Sequence, residues 1–239
     1  MNPGARLLGG LLDSSATGGS VWALIAAAGS GERLGIDRPK AFAALGGRPL
    51  LAESIDRLDR CELVDAIVVA APPGWEEPSI LLAEELAASK VVACVTGGDT
   101  RAESVAAALA EVPDDALVVL VHDAARPLLD HAVVERLLPP LGEGFDGAVP
   151  VRPLADTLKR VRDGAVLETV DRTGLATAQT PQAFLAPMLR RAFDGDLAGA
   201  TDCASLVERA GGRVAVVGGD PRLLKVTSPE DLALVESWL

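Results

Sequence analysis

Tyrosine is absent from this chain, and only four Phe and three Trp occur among its 239 residues. With so few aromatics, a core has to be assembled from Ala, Val and Leu, and 49% hydrophobic residues in a chain of this length are enough for one large α/β domain. Cysteine is scarce too. Cys61, Cys94 and Cys203 are odd in number and widely spaced, which gives neither a disulfide framework nor a zinc pattern. Incidental thiols in a reducing cytoplasm are expected. Two histidines, His122 and His131, are too few for a histidine metal site. Basic residues are outnumbered: the net charge of −12 argues against non-specific nucleic-acid binding, which needs a basic footprint. An anionic substrate would therefore need cations gathered locally. No apolar run approaches the length of a membrane span.

The first twenty residues differ from the rest. They are rich in Gly, Ser and Ala, and their apolar stretch is interrupted at Gly9-Gly10. A secretory signal needs a charged start, a longer apolar core and a cleavage site, so residues 1–20 read as a disordered leader.

From Val21 onward the pattern alternates. Strands are expected over Val21–Ala28, Ala66–Ala71, Val91–Val95, Ala116–Val121 and Ala148–Val151. Helices are expected over Pro49–Leu58, Glu76–Ser89, Thr100 to about Ala110, and Asp130–Leu138. Thr100 and Glu103 stand at the spacing of a capping box. This rhythm predicts an α/β domain with a mostly parallel sheet and crossover helices, spanning residues 21–239. Beyond it, Phe184–Phe193 and Asp202–Ala210 read as helices and Arg213–Val217 and Leu224–Val226 as short strands. Ser228-Pro-Glu-Asp231 starts a last helix. The rhythm breaks at about 152–177, where two extended runs flank Asp163-Gly164 and read as a hairpin. Such a hairpin either projects as an arm and packs on a second subunit, or folds back on its own sheet.

Unusual polar clusters follow the strands, and ligands of parallel sheets bind at the strands' carboxyl ends. The first cluster is Ala26–Lys40, which empties an apolar strand into Gly29-Ser-Gly31 and then supplies Arg33, Arg38 and Lys40. Small residues admit a close backbone approach, backbone N–H groups cradle anions, and cations neutralise phosphate oxygens. Leu34 stands where the dinucleotide fingerprint needs its third glycine, and no Gly-Lys pair makes a triphosphate loop. By itself the segment is equally a phosphate site or a structural turn. The second cluster is Gly97–Ser104. The third, His122–Arg126, brings Asp123 for hydroxyls or metal and Arg126 for phosphate, although a surface ion pair would look the same. Lys225, between apolar neighbours, either snorkels or points into a cleft.

Taken together, Ala27-Ala-Gly-x-Gly-x-Arg33…Pro39-Lys40, Gly97-Gly-Asp-x-Arg-x-Glu-Ser-Val105, Val121-His-Asp-Ala-Ala-Arg-Pro127, Asp156-Thr-Leu-Lys159, Val170-Asp-Arg172, Gln179-Thr-Pro-Gln182 and Lys225-Val-Thr-x-Pro-Glu-Asp-Leu232 resemble one family. That family is the 2-C-methyl-D-erythritol 4-phosphate cytidylyltransferases of non-mevalonate isoprenoid synthesis, and the resemblance runs from about Trp22 to Leu239. It implies a Rossmann-like sheet, a cytoplasmic homodimer joined by β-arms, and transfer of CMP from CTP to the polyol phosphate with release of pyrophosphate. It implies Mg²⁺ held mainly by the CTP phosphates. By position it implies phosphate contact and transition-state stabilisation for Arg33, Lys40 and Lys225. It implies nucleotide binding by Ala27, Ala28, Gly29, Gly31, Gly98, Asp99 and Ser104. It implies sugar-phosphate binding by Asp123, Arg126 and Thr180, with Thr157 and Arg172 reaching across the dimer. Cys203 departs from the family pattern, where an acidic residue can follow the Thr-Asp pair. Ribitol-5-phosphate cytidylyltransferase shares the early motifs and is the alternative, and a non-catalytic nucleotide-binding domain is a second.

Overall fold

The computed structural model describes residues 19–239, so the expected leader lies almost wholly outside the described residues. Ser20 already accepts backbone hydrogen bonds from Leu117 and Val118. The chain runs through β1 (Val21–Ala26), single 3₁₀ turns at Glu32–Leu34 and Lys40–Phe42, β2 (Ala44–Leu45), β3 (Arg48–Pro49), α1 (Leu50–Asp59), β4 (Ala66–Ala71), α2 (Glu76–Glu85), β5 (Val91–Thr96), α3 (Arg101–Leu109), β6 (Val118–Asp123), α4 (His131–Leu137), α5 (Pro139–Gly142) and β7 (Gly147–Pro153). It continues through β8 (Leu158–Arg162), β9 (Ala165–Val170), β10 (Ala176–Ala178), β11 (Gln182–Leu185), α6 (Ala186–Phe193), α7 (Cys203–Arg209), β12 (Val214–Gly218), a 3₁₀ turn at Pro221–Leu223 and α8 (Pro229–Glu236).

The main sheet has the order β10-β7-β11-β6-β1-β4-β5, with β12 parallel to β7. The pairs β1–β4, β1–β6 and β4–β5 are all parallel. Strands β4 and β6 are buried along their whole length, β4 as its unbroken apolar run requires and β6 including the polar His122 and Asp123 at its end. Strand alternation divides the core in two. Ala23 and Ile25 pack with Leu51 of α1 and Val133 of α4 on one face. Leu24 packs with Val105 of α3, Leu189 of α6 and Leu206 of α7 on the other. Helices thus cover both faces of the sheet, which leaves its loop-lined edge for ligands.

A third cluster matters most for the site. Leu34, Leu45 and Leu50 pack on Leu128, Val226 and Val235. It fastens the glycine-rich segment to the C-terminal segment, and Gly46 N–H donates to Glu236 Oε1 at 3.0 Å. The capping boxes expected at Thr100–Glu103 and from Ser228, with Asp231, are both present.

Three expectations need correction. Phe184 and Leu185 belong to strand β11, and the helix starts at Ala186. Phe184 is fully buried and lies opposite both Val119 and Gly147. A Cβ at Gly147 would come within 2.5 Å of its ring, so the glycine makes the ring's place. Leu224–Val226 is extended but joins no ladder, since Val226 N–H bonds to Ala125 O in a loop. Helix α2 stops at Glu85, ahead of Ala87 at φ 51°. Strands β8 and β9 pair only with each other, around Asp163 and Gly164 in the left-handed region. At the base of this hairpin Arg152, Pro153, Ala176 and Thr177 pair within the main sheet.

Candidate active site

The register of the parallel strands sets the site. Ala26 lies beside Ala70 on one side and Asp123 on the other, so three strands end together. The loops beyond them enclose a cleft of about 570 Å³ open to solvent. Ala27, Ala28 and Gly29 form one wall, and Gly98, Asp99 and Ser104 form another. Lys40, Asp123 and Lys225 lie between them.

The first wall is held by backbone. Ala27 N–H bonds to Ala70 O at 3.0 Å, and Lys40 N–H bonds to Gly29 O at 3.1 Å, which folds the loop over itself. Gly31 turns the chain at φ 80°, and a Cβ there would meet the Lys40 backbone nitrogen at 3.0 Å. Only glycine meets both conditions at low cost. On the opposite wall the buried Ser104 hydroxyl ties Thr100 O to the Gly98 backbone, with the Gly98 N–H at 3.2 Å. A Cβ on Gly98 would fall 2.3 Å from that of Glu103, so a side chain would dislodge the capping box.

Asp123 is the electrostatic centre. Its Oδ1 accepts from Arg101 Nε and its Oδ2 from Lys225 Nζ, each at 2.7 Å. Burial alone would raise its pKa, but the two cations reverse this and hold the carboxyl well below its usual range. Lys40 Nζ donates to Val226 O at 3.3 Å. Burial lowers the Lys40 pKa, and the like charges of Lys225 and Arg33 lower it further. Such a lysine is short of compensating charge, which an anionic ligand in the cleft would supply.

A second cleft, of about 500 Å³, shares Arg101, Asp123 and Lys225 with the first. Its remaining walls include Arg126, Gln179, Thr180 and Gln182. Arg126 donates to Leu223 O at 2.6 Å, and burial lowers its pKa. Arg101 Nη2 and Arg126 Nε are buried without a hydrogen-bond partner. Thr180 Oγ1 accepts from Asp123 N–H at 3.0 Å and lies 3.3 Å from His122 Nδ1. Burial pushes the His122 pKa down to about 4.

Most of the residues singled out in the sequence therefore converge. Ala27, Ala28, Gly29, Lys40, Gly98, Asp99, Ser104, Asp123 and Lys225 line the first cleft, and Arg126 and Thr180 the second. Gly31 supports the loop from beneath, and Arg33 stands exposed on the adjoining turn. Thr157 and Arg172 are exposed near the hairpin and line neither cleft. Arg172 Nη1 donates to Leu154 O at 2.9 Å and also to Ala155 O, which pins the hairpin's base. Arg101 was missed as a site residue, although it stands in the Gly97–Val105 motif. Gln179 and Gln182 were likewise present in a motif but given no role. Gln179 clasps Asp220 by two hydrogen bonds, and Gln182 donates to Asp202 at 2.8 Å.

Among the described residues no group of three or more His, Cys, Asp or Glu side chains is placed to hold a metal ion. Asp123 is the buried carboxylate of the cleft, and both its oxygens already serve cations. The donor set fits Mg²⁺ carried by a polyphosphate better than Mg²⁺ caged by protein. Among the same residues, no helix is long and apolar enough to cross a membrane.

Known proteins agree with the motif reading. The family model for 2-C-methyl-D-erythritol 4-phosphate cytidylyltransferase matches residues 21–239. The protein of that name from Nocardia farcinica is 46% identical over 222 residues, covering 92% of this chain and 94% of its own. The Saccharopolyspora erythraea protein is 46% identical over 226 residues, covering 92% and 99%. Among solved structures, the Thermus thermophilus cytidylyltransferase superposes with a TM-score of 0.75 at 35% identity, covering 90% of this chain and 96% of that one. The Francisella tularensis cytidylyltransferase gives 0.79 at 28%, covering 92% and 100%. With strand order, cleft and sequence in agreement, this chain belongs to the 2-C-methyl-D-erythritol 4-phosphate cytidylyltransferase family.

Proposed function

We propose that the enzyme transfers CMP from CTP to 2-C-methyl-D-erythritol 4-phosphate, giving 4-diphosphocytidyl-2-C-methyl-D-erythritol and pyrophosphate. The observation that carries this reading is the pair of clefts meeting at Asp123, Arg101 and Lys225. Two anions must be brought together, and a shared cationic seam is what that requires.

CTP enters the first cleft. Backbone groups of Ala27, Ala28, Gly98 and Asp99 and the Ser104 hydroxyl select cytosine, in a space bounded by small residues. Gly29 and Gly31 shape the loop over the triphosphate, and Arg33, Lys40 and Lys225 approach its oxygens. The polyol phosphate enters the second cleft, beside Asp123, Arg126 and Thr180. Its phosphate oxygen attacks the α-phosphorus in line, one P–O bond forms, and the bond to pyrophosphate breaks. Charge on the equatorial oxygens is stabilised by the lysines, and catalysis is positioning plus electrostatics. Mg²⁺, when bound through the triphosphate, would screen its charge and favour the leaving pyrophosphate.

A protein nucleophile has no place in this scheme. His122 stays neutral at pH 7 and both its nitrogens are engaged. Burial pushes the Cys203 thiol up, and it lies against Arg101 Nη1 at 3.3 Å. The phosphate monoester is itself the nucleophile.

Thr157 and Arg172 act on a second copy's polyol phosphate, across a homodimer joined by the β8–β9 arm. The exposed Val161, Val166 and Leu167 of this hairpin support such packing. We place the enzyme in the cytoplasm, a reading supported by its free cysteines. The test of function is ³¹P NMR of CTP, Mg²⁺ and 2-C-methyl-D-erythritol 4-phosphate. Growth of a diphosphate diester together with pyrophosphate is expected; CTP hydrolysis to CMP, or no change, contradicts the reading.

A further inference from the structure

His122 takes no part in the scheme above, yet it is fully buried behind the second cleft and joins two of its walls. Its Nε2 lies 3.1 Å from Arg126 O and its Nδ1 3.3 Å from Thr180 Oγ1. The direction of every hydrogen bond in this chain follows from chemistry. A carbonyl oxygen only accepts, so Nε2 carries the ring proton. Burial keeps the ring neutral, so Nδ1 is bare and only accepts. The Thr180 hydroxyl proton must then point at His122. Thr180 Oγ1 meanwhile accepts from Asp123 N–H at 3.0 Å. A hydroxyl has one proton and two lone pairs. The proton and one lone pair are committed, and what remains is a single acceptor.

We infer that His122 is a positioning residue that makes Thr180 an acceptor only, so that Thr180 takes a hydroxyl of the polyol and not an oxygen of its phosphate. An ionised phosphate has no proton to offer such a group, whereas each polyol hydroxyl has one. Arg126 and Lys225, on the same cleft, bring positive charge for the phosphate end. His122 thereby helps to fix which way round the substrate lies. This inference rests on the functional reading above for the identity of the polyol.

The test is ¹⁵N NMR of the full chain with labelled histidine, with His131→Gln used to assign the two rings. In the free enzyme at neutral pH, His122 is expected as the neutral Nε2–H tautomer with Nδ1 accepting a hydrogen bond. On saturation with 2-C-methyl-D-erythritol 4-phosphate that Nδ1 signature is expected to persist. A protonated Nδ1, or a shift to an unbonded nitrogen on saturation, overturns the inference, the latter because Thr180 would have turned its proton to the ligand. In kinetics, Thr180→Val is expected to raise KM for the polyol phosphate about tenfold and leave KM for CTP unchanged, with Thr180→Ser restoring it. Equal rises in both KM values would mark a merely structural role. If the enzyme turns over no methylerythritol phosphate, the functional reading and the hydroxyl contact fail together, while the free-enzyme tautomer still decides whether His122 sets Thr180.

Discussion

Asp123 and Lys225 stand 102 positions apart in the chain and 2.7 Å apart in space. With Arg101 on the other carboxylate oxygen, the pair joins the two clefts into one site. Breaking it by Asp123→Ala leaves two cations without their counter-charge. Loss of a partner from a fully buried pair costs about 3–5 kcal/mol, and the partly exposed Lys225 side chain brings the expected loss below that. Thermal denaturation should show that loss, and Asp123→Asn, which keeps the shape, should lose less stability but still lose turnover. A variant of wild-type activity would remove Asp123 from the site.

Lys40→Ala and Lys225→Ala should each reduce kcat on the order of 10²–10³ while the far-ultraviolet dichroism stays native. Steady-state kinetics with both substrates saturating decides this. Near-normal kcat in either variant would release that lysine from its role.

The pH–rate profile should carry the mark of Lys40. Its pKa lies below the ordinary 10.5, chiefly by burial and then by Lys225 and Arg33. Deprotonation removes a charge needed for the triphosphate, so activity should fall on the alkaline side at a pH below that value. Arg33→Gln removes one repelling charge and should move this limb upward. An unmoved limb would mean that another group sets it.

Much of this site was legible in the sequence because strand ends carry their loops with them. Gly29, Gly98 and Asp123 follow apolar runs, and a parallel sheet gathers such ends at one edge. Lys225 was harder, since its position depends on the packing of Leu34 and Leu45 on Val226 and Val235, which no local pattern encodes. Arg101 was overlooked because it also opens a helix behind the Thr100 cap, and its reach to Asp123 is a tertiary fact. Phe184 and Leu185 read as helix because they run directly into an amphipathic one, although Pro187 in its first turn marks where that helix starts.

Acid should destabilise the fold through His122. Its folded pKa is about 4 against 6.5 for the free group, so between those values the unfolded chain binds a proton that the folded chain excludes. Stability from this source is complete above pH 6.5 and is lost as pH falls toward 4. The amount is about 3 kcal/mol. Urea denaturation at pH 7.5 and 4.5, for the wild type and His122→Asn, isolates it. Equal acid losses in the two chains would contradict the assignment.

Arg172→Ala should raise KM for the polyol phosphate more than KM for CTP. If Arg172 serves the neighbouring subunit's site, heterodimers of Arg172→Ala with Lys40→Ala, assayed at subsaturating polyol phosphate, should be more active than either homodimer. Verified heterodimers without recovery would confine each site to one chain.

The central claim is that the two clefts bring CTP and one particular polyol phosphate together for CMP transfer. Pyrophosphate release from CTP and Mg²⁺, measured across a panel of polyol phosphates, tests it most directly. Release that depends on 2-C-methyl-D-erythritol 4-phosphate is expected, with ribitol 5-phosphate far slower. Full-rate release with ribitol 5-phosphate, or CTP binding without release for any member of the panel, would contradict it.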